Sequence, residues 1–103
     1  MTYELAFNEQ ALKEWKKLDG AIRAQFKKQL ERRLHDPHVP SARLHGAGMQ
    51  NTYKIKLRSI GYRLVYEVQD NILTVIVLSV GTRDKNQAHN MASQRKPPKS
   101  SAT

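Results

Sequence analysis

The apolar residues of this chain follow two spacings, one typical of strands and one typical of helices. Tyr3, Leu5 and Phe7 alternate with polar or small residues, which predicts a short first strand. Apolar positions then recur every three or four residues, and this spacing predicts amphipathic helices at about 9–18 and 21–35. The helical apolar positions are Ala11, Leu12, Trp15 and Leu18, then Ile22, Phe26, Leu30 and Leu34.

The residues at the ends of these helical segments agree with the spacing. Asn8 is a predicted N-cap, because its side chain can accept from free backbone donors of the first turn. The Asp19-Gly20 pair separates the two helices, and Asp36-Pro37 ends the second.

The second half of the chain has the pattern of a β meander. Residues 36–52 are rich in Pro and Gly and show no apolar period, so we interpret them as a loop. Strands are predicted at about 53–58, 62–69 and 72–80, with a turn at 59–61 and a two-residue hairpin at Asp70-Asn71. The last strand is apolar almost throughout, which predicts a central strand covered on both faces.

The predicted element order is strand, helix, helix and three strands, with a short helix at about 84–91. This order defines an α+β domain in which two N-terminal helices pack on one face of a small antiparallel sheet. We assign residues 1–93 to this domain. Residues 94–103 are rich in Lys, Pro and Ser without an apolar anchor, and are predicted to be a disordered basic tail.

Composition narrows the possible functions. Eighteen Lys and Arg against nine Asp and Glu give a net charge of +9, which suits RNA, DNA or another anionic partner. The alternative is a basic protein without such a partner. The absence of cysteine excludes disulfides and thiolate chemistry. No apolar run approaches the roughly 20 residues that span a bilayer, and the N-terminus lacks the basic region of a signal peptide, so we expect a cytoplasmic protein without membrane contact.

The strongest charge signal lies on one predicted strand. No acidic residue occurs between Asp36 and Glu67, and within that stretch Lys54, Lys56 and Arg58 alternate with apolar residues. Strand alternation places these cations together, on the face away from the helices if Ile55 and Leu57 face them. Cations that repel one another in this way are tolerated more easily when a polyanion lies on them, which favours a nucleic acid as ligand.

The residue types available limit the chemistry. The four histidines are scattered and no cysteine or carboxylate cluster accompanies them, so neither a metal site nor a cofactor is expected. Lys, Arg, His and Tyr suit RNA cleavage by the substrate's own 2′-hydroxyl, which needs a base, cations around the phosphate and an acid for the leaving oxygen. Clustered cations can supply all of these, because mutual repulsion lowers the pKa of a lysine.

Two arginines are further candidates. Arg63 begins the second strand of the meander, across a tight turn from Lys56 and Arg58. Arg83 follows Gly81, where the last strand ends. Alternative interpretations are ion pairs on the surface, of Arg63 with Glu67 or Asp70, and of Arg83 with Asp84 or Glu67.

On these residues the chain resembles the RelE toxins of bacterial toxin–antitoxin systems, from Tyr3 to about His89. The matching blocks are 11–15 (ALKEW), 53–58 (YKIKLR), 61–66 (GYRLVY) and 79–81 (SVG). The two middle blocks together are specific to the family, whereas the first or last alone is weak.

The resemblance implies an endoribonuclease that enters the ribosomal A site and cuts the messenger there, using the 2′-hydroxyl and leaving a cyclic phosphate without metal. It implies Lys56 as the base, Lys54 and Arg63 on the phosphate, and Arg83 as the acid or the group that stabilises the leaving oxygen. His89 lies where the best-known members have a tyrosine that stacks on the messenger. An imidazole can stack and can move protons near neutral pH, and the alternative is an ordinary surface residue.

The resemblance also implies partners: a RelB-like antitoxin, the 70S ribosome with messenger in its A site, and operator DNA only through the antitoxin complex. Further predicted RNA or ribosome contacts are Arg58, the loop residues Arg43 and His45, and Lys27, Lys28 and Arg32 on the second helix. These helix residues lie with Arg23 and Arg33 on the predicted outer face of the helix, and the alternative is that this face is only solvated. Two other functions stay open: a ParE-like poison of DNA gyrase, and an inactive relative that binds RNA or the ribosome.

Overall fold

The computed structural model of the chain describes residues 2–46, 48–82 and Arg95. The predicted α+β class and element order are confirmed over these residues. The strands are β1 (Glu4–Phe7), β2 (Thr52–Leu57), β3 (Tyr62–Gln69) and β4 (Thr74–Thr82). The helices are α1 (Glu9–Lys17) and α2 (Gly20–His35), and 3-10 turns cover Pro40–Ala42, Arg58–Ile60 and Asp70–Ile72.

Both helices begin and end close to where the sequence predicts. The Asn8 side chain accepts hydrogen bonds from the backbone N–H groups of Gln10 and Ala11, so the predicted cap is formed. The second helix ends at His35, and Asp36 takes a non-helical conformation before Pro37 because the proline ring disfavours helical geometry in the preceding residue.

The four strands form one mixed sheet in the order β1-β4-β3-β2. β2, β3 and β4 form the predicted antiparallel meander, and β4 is a central strand as predicted. β1 joins β4 in parallel, with Leu5 opposite Val75. Alternation along a short strand indicates its two faces but not its partner, so the sequence did not predict this pairing.

One face of the sheet packs against the helices and carries the main core. Phe26 and Leu30 of α2 are buried there in one cluster with residues of β2, β3 and β4. Trp15 packs at the margin of this core, with its ring 5.3 Å from that of Phe7. The core residues of the sheet are Tyr53, Ile55, Leu57, Leu64, Tyr66, Val68, Val75, Val77 and Val80. Those of β2 and β3 follow the predicted alternation.

The other face of the sheet is only partly open. Leu44 and Met49, from the segment before β2, pack on Val65 and Leu78 in a second, smaller core. The sequence predicts this segment as an unpatterned loop over an open face. Its two apolar residues cover the middle of that face, and the end that carries Lys56 and Arg63 lies beyond them.

Two local predictions are wrong. Arg58 does not belong to β2 but begins the 3-10 turn Arg58–Ile60, so it is not part of the strand alternation. The β3–β4 connection is not a two-residue hairpin, because the turn Asp70–Ile72 and Leu73, with φ of 49°, precede Thr74. The favoured two-residue turn needs positive φ at both positions, which Asn-Gly supplies and Asp-Asn does not.

A β-bulge interrupts the β3–β4 ladder. Val65 lies opposite Ser79 and Tyr66 lies opposite Val77, so Leu78 has no partner on β3. Val77 faces the helices before the bulge and Val80 faces them after it, which means that the extra residue shifts the alternation of β4 by one position. Gly81 therefore lies opposite Arg63 on the face away from the helices.

Several predictions lie outside the described residues. These are the helix at 84–91, the candidate residues Arg83 and His89, and the tail at 94–103 except Arg95. The Arg95 guanidinium donates to both carboxylate oxygens of Glu14, at 2.9 and 3.0 Å, and to the carbonyl of Leu78. The division of the chain at residue 93 stays a prediction. Among the described residues no helix is both long and apolar enough to cross a membrane.

Candidate active site

The antiparallel register of β2 and β3 brings the predicted cations together. Lys56 lies directly opposite Arg63, and Lys54 lies two residues earlier on the same face of β2, opposite Val65. Gly81 completes the row on β4, and a Cβ added to Gly81 would meet no atom within 4 Å. The described part of the site is thus a row of cations beside an uncrowded strand end.

Mutual repulsion changes the acidity of Lys56. The Lys54 ammonium is the largest cause that lowers the Lys56 pKa below its ordinary value of 10.5. Partial desolvation, a hydrogen bond with Lys54 and the charges of Arg63 and Arg58 act in the same direction. A neutral amine is the form that can accept a proton, so this environment favours a base at Lys56.

Arg63 brings a buried hydrogen-bond donor to the site. Its Nε atom is buried and has no hydrogen-bond partner among residues 2–46, 48–82 and 95. The alternative in which Arg63 pairs with Asp70 is not found among the ion pairs of that part of the chain. Asp70 instead accepts from the Tyr3 hydroxyl at 2.7 Å and lies 3.0 Å from His38 Nε2.

A cleft of about 250 Å³ lies along β2 beside this row. It is lined by Lys54, Lys56 and Arg58 from the strand and its turn, by Ser41 and Ala42, and by Arg33 of α2. Arg58 therefore reaches the cluster from the turn, although it is not in the strand.

Arg33 is a member of the site that the sequence analysis missed. We predicted it on the outer, solvated face of the second helix, but it is half-buried and donates to the Tyr66 hydroxyl at 2.9 Å and to the Lys54 carbonyl at 3.3 Å. A signal was present, because Arg33 follows Leu30 by three residues and so borders the apolar stripe of the helix.

The other predicted contacts are not part of this cluster. Arg43 forms an isolated bridge with Tyr53, and both Arg43 and His45 are exposed. Lys27, Lys28 and Arg32 are exposed on α2 and do not line the cleft. Arg83 and His89 lie outside the described residues. Within the described residues there is no group of three His, Cys, Asp or Glu that could hold a metal ion.

The fold and the cation row together define a small basic α+β protein suited to hold a phosphodiester. The model of the family described as "ParE toxin of type II toxin-antitoxin system, parDE" matches residues 5–87. The mRNA interferase toxin RelE of Escherichia coli K12 is 47% identical over 95 residues, which are 92% of this chain and 98% of that protein. The chain belongs to the RelE group of this toxin family.

Solved structures agree with this assignment. A doubly substituted variant of the E. coli toxin RelE in the free state superimposes with a TM-score of 0.85 at 45% identity, covering 94% of this chain and all of that one. RelE in the intact E. coli RelBE toxin–antitoxin complex gives a TM-score of 0.75 at 49% identity, covering 81% and 99% of the two chains.

Proposed function

We propose that this chain is an endoribonuclease toxin that cuts messenger RNA in the A site of the 70S ribosome. The observation that carries the proposal is the row Lys54, Lys56 and Arg63, in which repulsion from Lys54 lowers the pKa of Lys56. The 47% identity to a protein named mRNA interferase supports it.

In the proposed reaction the attacking group belongs to the substrate. Lys56, as the neutral amine, takes the proton of the 2′-hydroxyl while the 2′ oxygen forms a bond to phosphorus. Arg63 and Lys54 stabilise the charge that develops on the phosphoryl oxygens. The bond from phosphorus to the 5′ oxygen breaks, and this oxygen takes up a proton, leaving a 2′,3′-cyclic phosphate and a 5′-hydroxyl.

The resemblance to RelE toxins supports roles for two further residues. Arg83 is proposed to protonate or stabilise the leaving 5′ oxygen, and His89 to stack on the messenger in place of the usual tyrosine. The toxin is proposed to be neutralised by a RelB-like antitoxin and to meet operator DNA only through that complex. The similarity to RelE of the RelBE complex supports the antitoxin as partner.

Primer extension on a programmed ribosome tests the proposal. Purified protein is incubated in EDTA with a 70S complex whose A site is empty, and new messenger 5′ ends are mapped. We expect a cut within the A-site codon that requires the ribosome. The cut should weaken by about 10²–10⁴-fold in Lys56→Ala, because a general base contributes about that factor. Lys13→Ala, which removes an exposed α1 lysine outside the cluster, should cut like the parent.

Other results would replace the proposal. Intact messenger on ribosomes that bind the folded protein indicates the inactive relative. Intact messenger without ribosome binding, together with DNA damage signalling after induction, indicates a gyrase poison. A fully active Lys56→Ala protein removes Lys56 from the role of base.

A further inference from the structure

The cleft beside β2 is separate from the gap between Lys56 and Arg63. Lys54 and Lys56 line it, but Arg63 does not. Arg63 lies across the ladder from Lys56, toward β4, whereas the cleft extends from Lys56 toward α2 and the 3-10 turn Pro40–Ala42. A strand of RNA that crosses the sheet from β3 to β2 therefore meets Arg63 and Lys56 first and the cleft next.

Arg33 is oriented toward this cleft by contacts with the protein itself. Its Nη1 atom donates to the Tyr66 hydroxyl and to the Lys54 carbonyl, and the Tyr66 hydroxyl in turn donates to the Pro37 carbonyl at 2.8 Å. Tyr66 is fully buried. The guanidinium is therefore anchored through one nitrogen to the core, and little side-chain freedom remains to be lost when its other N–H groups bind a ligand.

The residues that line the cleft indicate which ligand it suits. Four of its six lining residues are cations and none is a carboxylate. No aromatic side chain lines the cleft among the described residues, so it lacks the platform on which a base would stack, and this favours a phosphate group over a base. Arginine is suited to phosphate because its planar fork of donors matches the phosphate oxygens.

We propose that this cleft is a second phosphate site, which binds the phosphate next to the scissile one through Arg33 and Arg58. That the bound strand is messenger RNA rests on the proposed function. The binding of a phosphate in the cleft does not rest on it. A strand bound in this way crosses the sheet in one direction, because only one of the two phosphates next to the scissile phosphate can lie beside Arg33.

Binding of a free single strand tests the site without the ribosome. A fluorescent 2′-O-methyl decamer cannot be cleaved by 2′-hydroxyl attack, and its affinity is measured by anisotropy over a range of salt concentrations. Each phosphate contact on a single strand contributes about 0.7 to the slope of log K against log salt. We expect Arg33→Gln to reduce the steepness by about 0.7 and Arg33→Lys to restore it. An unchanged slope in Arg33→Gln would overturn the site.

Two matched variants keep this test decisive. Arg58→Gln removes an exposed cation of the cleft from a turn, so it does not depend on the core contacts of Arg33 and should give the same loss of slope even if Arg33→Gln is unstable. Lys13→Gln removes one exposed charge from α1 and should leave the slope as in the parent. An equal loss in Lys13→Gln would mean that net charge alone, and not this cleft, is measured.

A phosphate scan on the programmed ribosome locates the contact. Messengers carry a 2′-deoxy nucleotide at the cleavage position and one uncharged methylphosphonate at each nearby linkage in turn. Arg33→Gln should weaken binding about tenfold on the messenger that carries the 2′-deoxy nucleotide but no methylphosphonate. On one messenger the substitution should have no further effect. This is the messenger whose methylphosphonate replaces the phosphate next to the scissile linkage on the side of Arg33. Equal losses on every messenger would refute the site, whereas failure of the parent to cut an all-ribose messenger would refute the proposed function alone.

Discussion

At the residue scale, the acidity of Lys56 depends chiefly on Lys54. The two ammonium groups lie on one face of β2, and the repulsion between them is the largest cause of the lowered Lys56 pKa. Partial desolvation and the charges of Arg63 and Arg58 add to it. Because the neutral amine is the form that accepts a proton, the pH at which a base at Lys56 becomes active should depend on its neighbour.

Removing the neighbour gives a prediction for the pH dependence. A base at Lys56 makes the cleavage rate rise with pH through the Lys56 pKa. Lys54→Gln removes the largest cause that lowers this pKa, so the pKa should rise and the ascending limb of the rate profile should move to higher pH. Single-turnover cleavage over a range of pH measures the shift.

The alternative outcome of this experiment is also specific. If Lys54 only stabilises the phosphate, Lys54→Gln lowers the rate by one factor at every pH and the ascending limb stays in place. Lys13→Gln, with the same loss of charge on α1, should change neither the rate nor the limb.

The sequence predicted the site residues that depend on strand alternation and missed the one that depends on packing. The strand alternation and the turn at 59–61 predicted that Lys54, Lys56 and Arg63 lie together, because residues opposite each other on antiparallel strands are neighbours. Arg58 reaches the cleft from a turn instead of the predicted strand. Arg33 could not be assigned, because a long side chain at the border of a helix face can reach into the core or into water.

At the element scale, the outer edge of β4 is completed by side chains. β1 pairs with β4 only as far as Phe7, opposite Val77. Beyond that point the Val80 N–H donates to a Glu14 carboxylate oxygen at 3.0 Å, and the Leu78 carbonyl accepts from Arg95 at 3.1 Å. Glu14 and Arg95 also form an ion pair with each other, so a side-chain pair supplies the hydrogen bonds where the neighbouring strand ends.

The loss of this pair should reduce stability. Glu14→Ala removes the acceptor of the Val80 N–H and leaves the Arg95 side chain, which is 10% exposed, without its carboxylate. We expect the free energy of unfolding in urea to fall by about 1–3 kcal/mol. Glu31→Ala, an exposed acid on α2, should change it by less than about 0.5 kcal/mol.

A double mutant separates the pair from other effects of the substitution. Arg95→Ala should add little to Glu14→Ala, because the two residues act through shared contacts. Fully additive losses would mean that Glu14 and Arg95 stabilise the protein independently.

The elements themselves were largely predictable, and their irregularities were not. The apolar spacing predicted both helices, and Asn8 predicted the start of the first, because amphipathic spacing and capping are local properties. The β3–β4 turn was predicted too short because Ile72 is apolar, yet Ile72 is 58% exposed. The bulge at Leu78 has no signal in the sequence, because a continuous apolar run has the same hydrophobic pattern with or without one extra residue.

At the scale of the whole molecule, two of the basic surfaces among the described residues lie apart from each other. One is the Lys54–Lys56–Arg63 row with its cleft. The other is the exposed side of α2, which carries Lys27, Lys28 and Arg32. The helices pack on the opposite face of the sheet from the row, and Lys27, Lys28 and Arg32 do not line the cleft, so their side chains are exposed to a larger anionic partner.

Charge reversal on α2 tests whether this surface contacts ribosomal RNA. Lys28→Glu with Arg32→Glu should weaken ribosome binding and make it less steeply dependent on salt, without moving the position of the cut. Binding across a salt series and primer extension measure the two properties. Lys13→Glu with Lys17→Glu makes the same charge change on α1, and equal losses in both double variants would identify a long-range charge effect instead of a contact.

The bulge at Leu78 has a consequence for how relatives of this protein are compared. The extra residue sets which side of the sheet the end of β4 presents, so Gly81 faces Arg63 only because one position between Val77 and Val80 has no partner on β3. In an alignment, a single-residue gap at this point is therefore not a neutral deletion. It marks a relative whose last strand residues are turned over, even where every residue type beyond the gap is the same.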